Sequence, residues 1–186
     1  MNINTPIHTI YGYFNEKFGT EWKVVAESLT AHFPEAIEAT LMPGVADVDM
    51  PTFFLKKDQA HAVLQNLKDV LGFNFLTDYT ATDEELEPRF HLVIHLMSLS
   101  TKCRVRIKIK LADQEKMPTL ISLWEGANWA EREIYDMFGI HFEGHPDLRR
   151  ILMDMRWEGH PLRKDYPLRG YQVFLTPEPL DPELLK

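Results

Sequence analysis

The chain predicts an α+β fold: a mixed or antiparallel sheet packed with helices, followed by an extended C-terminal tail. Three observations carry this. Two neighbouring segments alternate apolar and polar residues at period two, several others repeat apolar residues at helical spacing, and beyond Gly144 six prolines interrupt any period. The expected organisation is a compact α+β domain over 1–140 and a tail over 141–186.

The elements follow in order. Ile7, Ile10, Tyr11, Phe14 and Phe18 repeat as a helix that stops at Gly19. Residues 22–33 read as a second helix or turn before Pro34, and 36–41 and 51–55 as short strands about a Pro43-Gly44 loop. Asp58 reads as the N-cap of a helix through Leu71, with Ala62, Val63, Leu67, Val70 and Leu71 inward and Gly72 as terminator. Residues 73–81 suit a strand. Phe90, Leu92, Ile94 and Leu96 then alternate with His91, Val93, His95 and Met97. Cys103, Val105, Ile107, Ile109 and Leu111 alternate with Arg104, Arg106, Lys108 and Lys110. This is a sheet with one face on a core and one open, joined by a hairpin loop over 98–102.

Composition narrows the function. With 186 residues and 45% hydrophobic content, one domain with a real core is expected. A net charge of −8 argues against nucleic acid as a partner, which demands a basic field. The single Cys103 excludes an internal disulfide and any cluster held by four thiolates of this chain; it sits on an apolar strand face, as a buried inert thiol does. No apolar run approaches eighteen residues and the N-terminus lacks a signal-peptide pattern, so neither membrane spanning nor export is expected. Glycine-rich phosphate loops and nucleophile elbows are missing from the sequence.

The densest chemistry lies at 124–171. A helix over 127–138 places Ala130, Ile134, Met137 and Phe138 on one side, with Arg132 and Asp136 a turn apart on the other beside Trp129. It reads either as an amphipathic helix with solvated charges or as a recognition helix whose Glu131, Arg132, Glu133 and Asp136 pair with another subunit. Glu131 and Glu133 point to different faces, and no nucleophile stands near them, which disfavours acid–base catalysis. Gly144-His145-Pro146 returns fifteen residues later as Gly159-His160-Pro161. His141, His145 and His160 lack zinc spacing and suit turns pinned by imidazole hydrogen bonds. The Arg104, Arg106, Lys108, Lys110 stripe suits a solvated strand that discourages edge pairing, or else docking on an acidic surface or anionic lipid.

Glu131-Arg132-Glu133, Tyr135-Asp136-Met137-Phe138-Gly139-Ile140, Gly144-His145-Pro146-Asp147-Leu148-Arg149-Arg150-Ile151-Leu152 and Gly159-His160-Pro161-Leu162-Arg163-Lys164-Asp165-Tyr166 resemble the signature of the C-type subunit of NADH:quinone oxidoreductase, the 30 kDa subunit family of respiratory complex I. The resemblance is motif-level over about 119–171. Glu125-Gly126 and Ala130 depart from it mildly, where Pro-Ala and a larger apolar residue are expected.

The resemblance implies a non-catalytic scaffold of the quinone-reducing module. It would be peripheral, on the cytoplasmic face of the bacterial inner membrane, bound to the large D-type subunit (the 49 kDa family) and other peripheral-arm subunits. FMN and Fe-S clusters would lie in those partners, with quinone the substrate of the complex and no cofactor or metal in this chain. The implied subunit-interface residues are Trp129, Glu131, Arg132, Glu133, Asp136, His145, Asp147, Arg149, Arg150, His160, Arg163, Lys164, Asp165 and Tyr166. Two alternatives stand beside it. One is the homologous subunit of a membrane-bound hydrogenase or ferredoxin- or F420-linked complex. The other is an independent enzyme or metal-binding protein using the histidines.

Overall fold

Strands rich in β-branched residues and two strongly patterned helices account for most of the architecture. A computed structural model describes residues 22–43 and 49–171. The helix expected at 7–18 lies outside them, as does Gly44 of the expected Pro-Gly loop. In chain order the elements are α1 (Trp22–His32), β1 (Ile37–Leu41), β2 (Thr52–Leu55), α2 (Lys57–Asp69), β3 (Phe75–Asp83), β4 (Phe90–Met97), β5 (Arg104–Leu111), β6 (Met117–Pro118), α3 (Ala127–Phe138) and β7 (Phe142–Glu143). The α+β class is as the sequence predicts.

The main sheet has the order β1-β2-β5-β4-β3. It is antiparallel except where β2 lies parallel to β5, Phe53 opposite Ile107. In β4 and β5 the expected alternation holds residue for residue: Phe90, Leu92, Ile94 and Leu96, and Val105, Ile107, Ile109 and Leu111, are all buried. A one-residue slip would turn that whole set to solvent, so burial fixes the register. Buried Val63, Leu64 and Leu67 of α2 and Ile134, Met137 and Phe138 of α3 complete the core. Trp124 anchors the entry to α3 by donating its Nε1–H to the Phe73 carbonyl at 3.2 Å.

Three expectations are corrected here. Helix α2, expected to start after an Asp58 N-cap, begins at Lys57, one residue before Asp58, and Lys56 at its N-cap supplies no side-chain hydrogen bond. Its buried face is Ala60, Val63, Leu64 and Leu67, whereas Ala62 and Val70 are exposed. The helix ends at Asp69, so Val70 and Leu71 lie beyond it and outside its buried stripe. Finally, β5 is the central strand, so its cations guard no edge. On the open face two of them are paired with carboxylates instead. Arg106 bonds His95 Nε2 at 2.8 Å and pairs with Asp49 at 3.0 Å, and Lys110 pairs with Glu38 at 3.2 Å. Lys108 and Lys110 both lie over the Phe54 ring.

A short parallel pair, β6 and β7, flanks α3: Met117 sits opposite Phe142. Residues 144–171 then carry neither helix nor strand and run over the body.

Candidate functional site

An α-helix leaves the carbonyls of its last turn without intrahelical partners. At the end of α3 the downstream segment supplies them in sequence. Gly139 N–H donates to Tyr135 O at 2.9 Å, His160 Nδ1 lies 3.0 Å from Asp136 O, Leu162 N–H donates to Met137 O at 3.0 Å, and Arg163 Nη1 donates to Phe138 O at 3.2 Å. The second Gly-His-Pro-Leu-Arg stretch is therefore a helix cap delivered from more than twenty residues away. Burial holds the His160 imidazole below its usual pKa, so it acts as the neutral ring with its proton on Nδ1. Gly139 has φ +79° and a Cβ there would meet His160 Cδ2 at 2.6 Å. Both the left-handed turn and the approach of the ring require glycine.

Asp136 organises the first Gly-His-Pro segment in a different way. Its side chain is fully buried. Oδ2 accepts the successive backbone N–H groups of Ile151, Leu152 and Met153 at 3.1, 2.8 and 2.9 Å. Oδ1 accepts Arg150 Nη1 at 2.6 Å, and Arg150 Nη2 reaches Gly159 O at 2.7 Å. Arg132 donates to the Arg149 and Arg150 carbonyls. Burial pushes the Asp136 carboxyl up, but the three amides and the guanidinium outweigh it and leave its pKa below the usual value.

Glu131 lies five residues earlier on the same helix and is also fully buried. Its Oε1 accepts Leu120 N–H at 2.7 Å and its Oε2 accepts Thr119 Oγ1–H at 2.6 Å. No cation pairs with it among the described residues. Burial dominates those two hydrogen bonds and raises its pKa to about 7. Its charge is also felt by Tyr79 of β3, whose buried hydroxyl has no hydrogen-bond partner among the described residues.

A second carboxylate–guanidinium cluster fixes 163–165. Buried Asp83 accepts Arg89 Nη2 at 2.8 Å and the Lys164 N–H at 2.9 Å. Arg89 pairs also with Asp165 at 2.9 Å, while Arg163 reaches Asp113 at 2.7 Å. Burial raises the Asp83 carboxyl, yet these bonds and the Glu85 amide bring it down to about 2. Both guanidinium groups face the Phe90 ring.

The residues singled out in the sequence thus divide. Glu131 and Asp136 are enclosed by this chain, which corrects the expectation that they pair with another subunit. The expected apolar face of α3 omitted Glu131, and the opposite face wrongly included Asp136. Arg132, Arg150, His160 and Arg163 are half-buried in intramolecular contacts. Trp129 is 65% exposed, with the Arg132 guanidinium 5.2 Å from its ring centre. Glu133, Asp147 and Arg149 are exposed, the last two paired at 3.0 Å. His145 accepts the Asp147 N–H on Nδ1 and directs Nε2 at the Asn128 carbonyl, the opposite tautomer from His160. Lys164 and Asp165 are exposed; Tyr166 packs between a tilted Trp157 ring and an edge-on Tyr171 ring and passes over Gly159, where a Cβ would meet it at 2.7 Å. The histidines do not converge: among the described residues no group of three or more His, Cys, Asp or Glu could hold a metal ion.

Sequence reasoning missed Asp83, Arg89, Asp113 and Thr119. Glu131 carried a signal: Ala127, Glu131, Ile134 and Phe138 form one i, i+4, i+7, i+11 stripe, so a carboxyl on that stripe had to be buried. In the Asp83 cluster Arg89 is six residues from Asp83, but Lys164 comes from 81 residues away and Arg163 reaches Asp113 across 50, separations that leave no local pattern.

Comparison with known proteins places this arrangement. Residues 53–172 match the family model described as respiratory-chain NADH dehydrogenase, 30 Kd subunit. The C-type subunit of NADH-quinone oxidoreductase from Citrifermentans bemidjiense is 51% identical over 121 residues, 64% of this chain and 75% of that protein. A second such C-type protein, from Rhizobium meliloti, is 55% identical over 108 residues, 58% of this chain and 59% of that protein. The C/D-type protein of NADH-quinone oxidoreductase from Nitrosospira multiformis is 43% identical over 136 residues, which span 22% of its length. Among solved structures, the trypsin-resistant fragment of Nqo5 superposes with TM-score 0.58 at 29% identity, covering 69% of this chain and all of the fragment. A chain of the membrane-bound sulfane sulfur reductase, an archaeal respiratory membrane complex, shares the fold at TM-score 0.64 and 22% identity, covering 87% and 97% of the two chains. The capped helix and both Gly-His-Pro turns lie inside the matched region, and the chain belongs to the 30 kDa subunit family of respiratory-chain NADH dehydrogenase, the C-type subunits of NADH-quinone oxidoreductase.

Proposed function

We propose that the chain is a non-catalytic peripheral-arm subunit of a proton-pumping NADH:quinone oxidoreductase, scaffolding the module that reduces quinone. Electrons pass from NADH through FMN and Fe-S clusters to quinone in partner subunits, and this chain holds none of those groups. Its principal partner is the large D-type subunit. The complex holds it peripherally at the cytoplasmic face of the inner membrane.

One observation carries the reading. Most polar residues of the family signature are bonded within this chain, to one another and to the body, and they build a fixed platform out of a segment without regular structure. A catalytic cluster would instead leave polar groups facing a cleft for a substrate. The relative named as a C/D-type protein supports the D-type subunit as the neighbour. Among the described residues no helix is long and apolar enough to cross a membrane, which agrees with attachment through other subunits.

Affinity purification of the tagged chain from native membranes, with mass spectrometry, tests this. The D-type subunit, cluster-bearing subunits and the NADH-oxidising module are expected in the eluate. A hydrogenase-type large subunit in their place moves the chain to the sister complexes that share its fold. Recovery of the chain alone overturns the scaffold reading.

A further inference from the structure

A loop whose backbone is bonded inward is free to direct apolar side chains outward. Residues 150–153 are such a loop: three consecutive amides converge on one Asp136 oxygen, Arg150 closes on the other, and Arg132 holds the carbonyls of Arg149 and Arg150. Yet Leu152 is 60% exposed and Met155 55%. The turn that follows is closed by Trp157 N–H on Asp154 O, and a Cβ on Gly170 would lie 3.4 Å from the Trp157 ring. Gly170 thus packs on Trp157, and Tyr166 lies against both Trp157 and Tyr171; the chain neighbours Leu168, Arg169 and Tyr171 are all exposed. Arg169 forms no ion pair among the described residues.

We propose that Leu152 and Met155, flanked by Leu168, Arg169 and Tyr171, form a preorganised plug for an apolar pocket with an acidic rim on the large D-type subunit, and that Asp136 is its positioning residue. The inference rests on the scaffold reading above. Two observations favour a protein pocket of this kind. The patch is apolar with a tyrosine and one cation that has no ion pair among the described residues, and Tyr and Arg are the residue types that anchor interfaces. Its backbone is already ordered, so docking loses little conformational freedom. The C/D-type relative supplies the occupant, because a fused neighbour must have a surface within reach of this one.

The test replaces the native copy with tagged chains and quantifies the D-type subunit in the eluate. The doubly substituted Leu152→Asp, Met155→Asp chain is expected to lose recovery by about ten-fold or more. Leu99→Asp, at an equally exposed leucine on the β4–β5 hairpin, is expected to recover that partner like the parent. Equal recovery by the double variant and the parent overturns the plug while leaving the scaffold reading intact. Equal loss in Leu99→Asp overturns it too, because the effect would then follow from any surface charge. A parent chain that recovers no D-type partner overturns the scaffold reading, and the plug with it. Thermal unfolding of each purified chain checks the fold; if the aspartates lower it, the Leu152→Ser, Met155→Ser pair is judged by the same recovery. Hydrogen exchange on the free parent gives an independent readout: amides 151–153 should be protected, and exchange at unfolded rates refutes a preformed loop.

Discussion

Glu131 and Asp136 sit five residues apart on one helix, both fully buried, and their pKa values move in opposite directions. Glu131 has two hydrogen-bond donors and no cation, and its pKa rises to about 7. Asp136 has three amides and a guanidinium, and its pKa falls below the usual value. The desolvation penalty is common to both. Its outcome depends on how many donors the surrounding chain delivers to the charged form. The same helix thus carries a carboxyl that strains against its site and a carboxylate that organises one.

The strongest way to break this comparison is Asp136→Ala. It removes the acceptor of three amides and leaves Arg150 without its counter-ion, so unfolding free energy should fall by about 3–5 kcal/mol in urea titrations. A loss below about 1 kcal/mol would mean that the 150–153 loop is held by other contacts.

Glu131→Gln sharpens the other half. A folded pKa raised above the unfolded 4.5 means stability fully present below pH 4.5 and lost as pH rises through 7. The parent should therefore lose about 3 kcal/mol at this site between pH 4.5 and 8, and the glutamine variant none of it. The gap between the two chains must move in favour of the variant as pH rises; a gap independent of pH refutes a strained carboxylate. Asp83 has the reverse sign. Its pKa of about 2 gives stability present above 3.8 and lost as pH falls towards 2. Relative to Asp83→Asn, the parent should lose up to about 2 kcal/mol over that acid window.

Smaller effects separate the cap from its surroundings. Gly139→Ala forces a strained φ and displaces His160, for about 1–3 kcal/mol. Arg149→Glu, on an exposed pair with Asp147, should change stability by no more than about 0.5 kcal/mol. Arg150→Glu must behave quite differently from Arg149→Glu, because its guanidinium sits on a buried carboxylate. Indistinguishable unfolding curves for the two arginine variants would undo the assignment of Arg150 to the interior.

What the sequence determined is periodic and local. The alternation of β4 and β5 named every buried residue of those strands, and the bounds of α3 were legible because Gly126 and Gly139 flank an uninterrupted helical stripe. The signature residues named the family before any geometry was known. Tertiary structure alone decided the mixed sheet, since the parallel pairing of β2 with β5 spans the whole of α2, β3 and β4. It alone also decided where the charges went. Whether an acidic residue is a solvated face or a buried anchor depends on donors brought from as far as 81 residues away. Such partners leave no period in the chain, because hydrogen bonds are satisfied in space and not along the sequence.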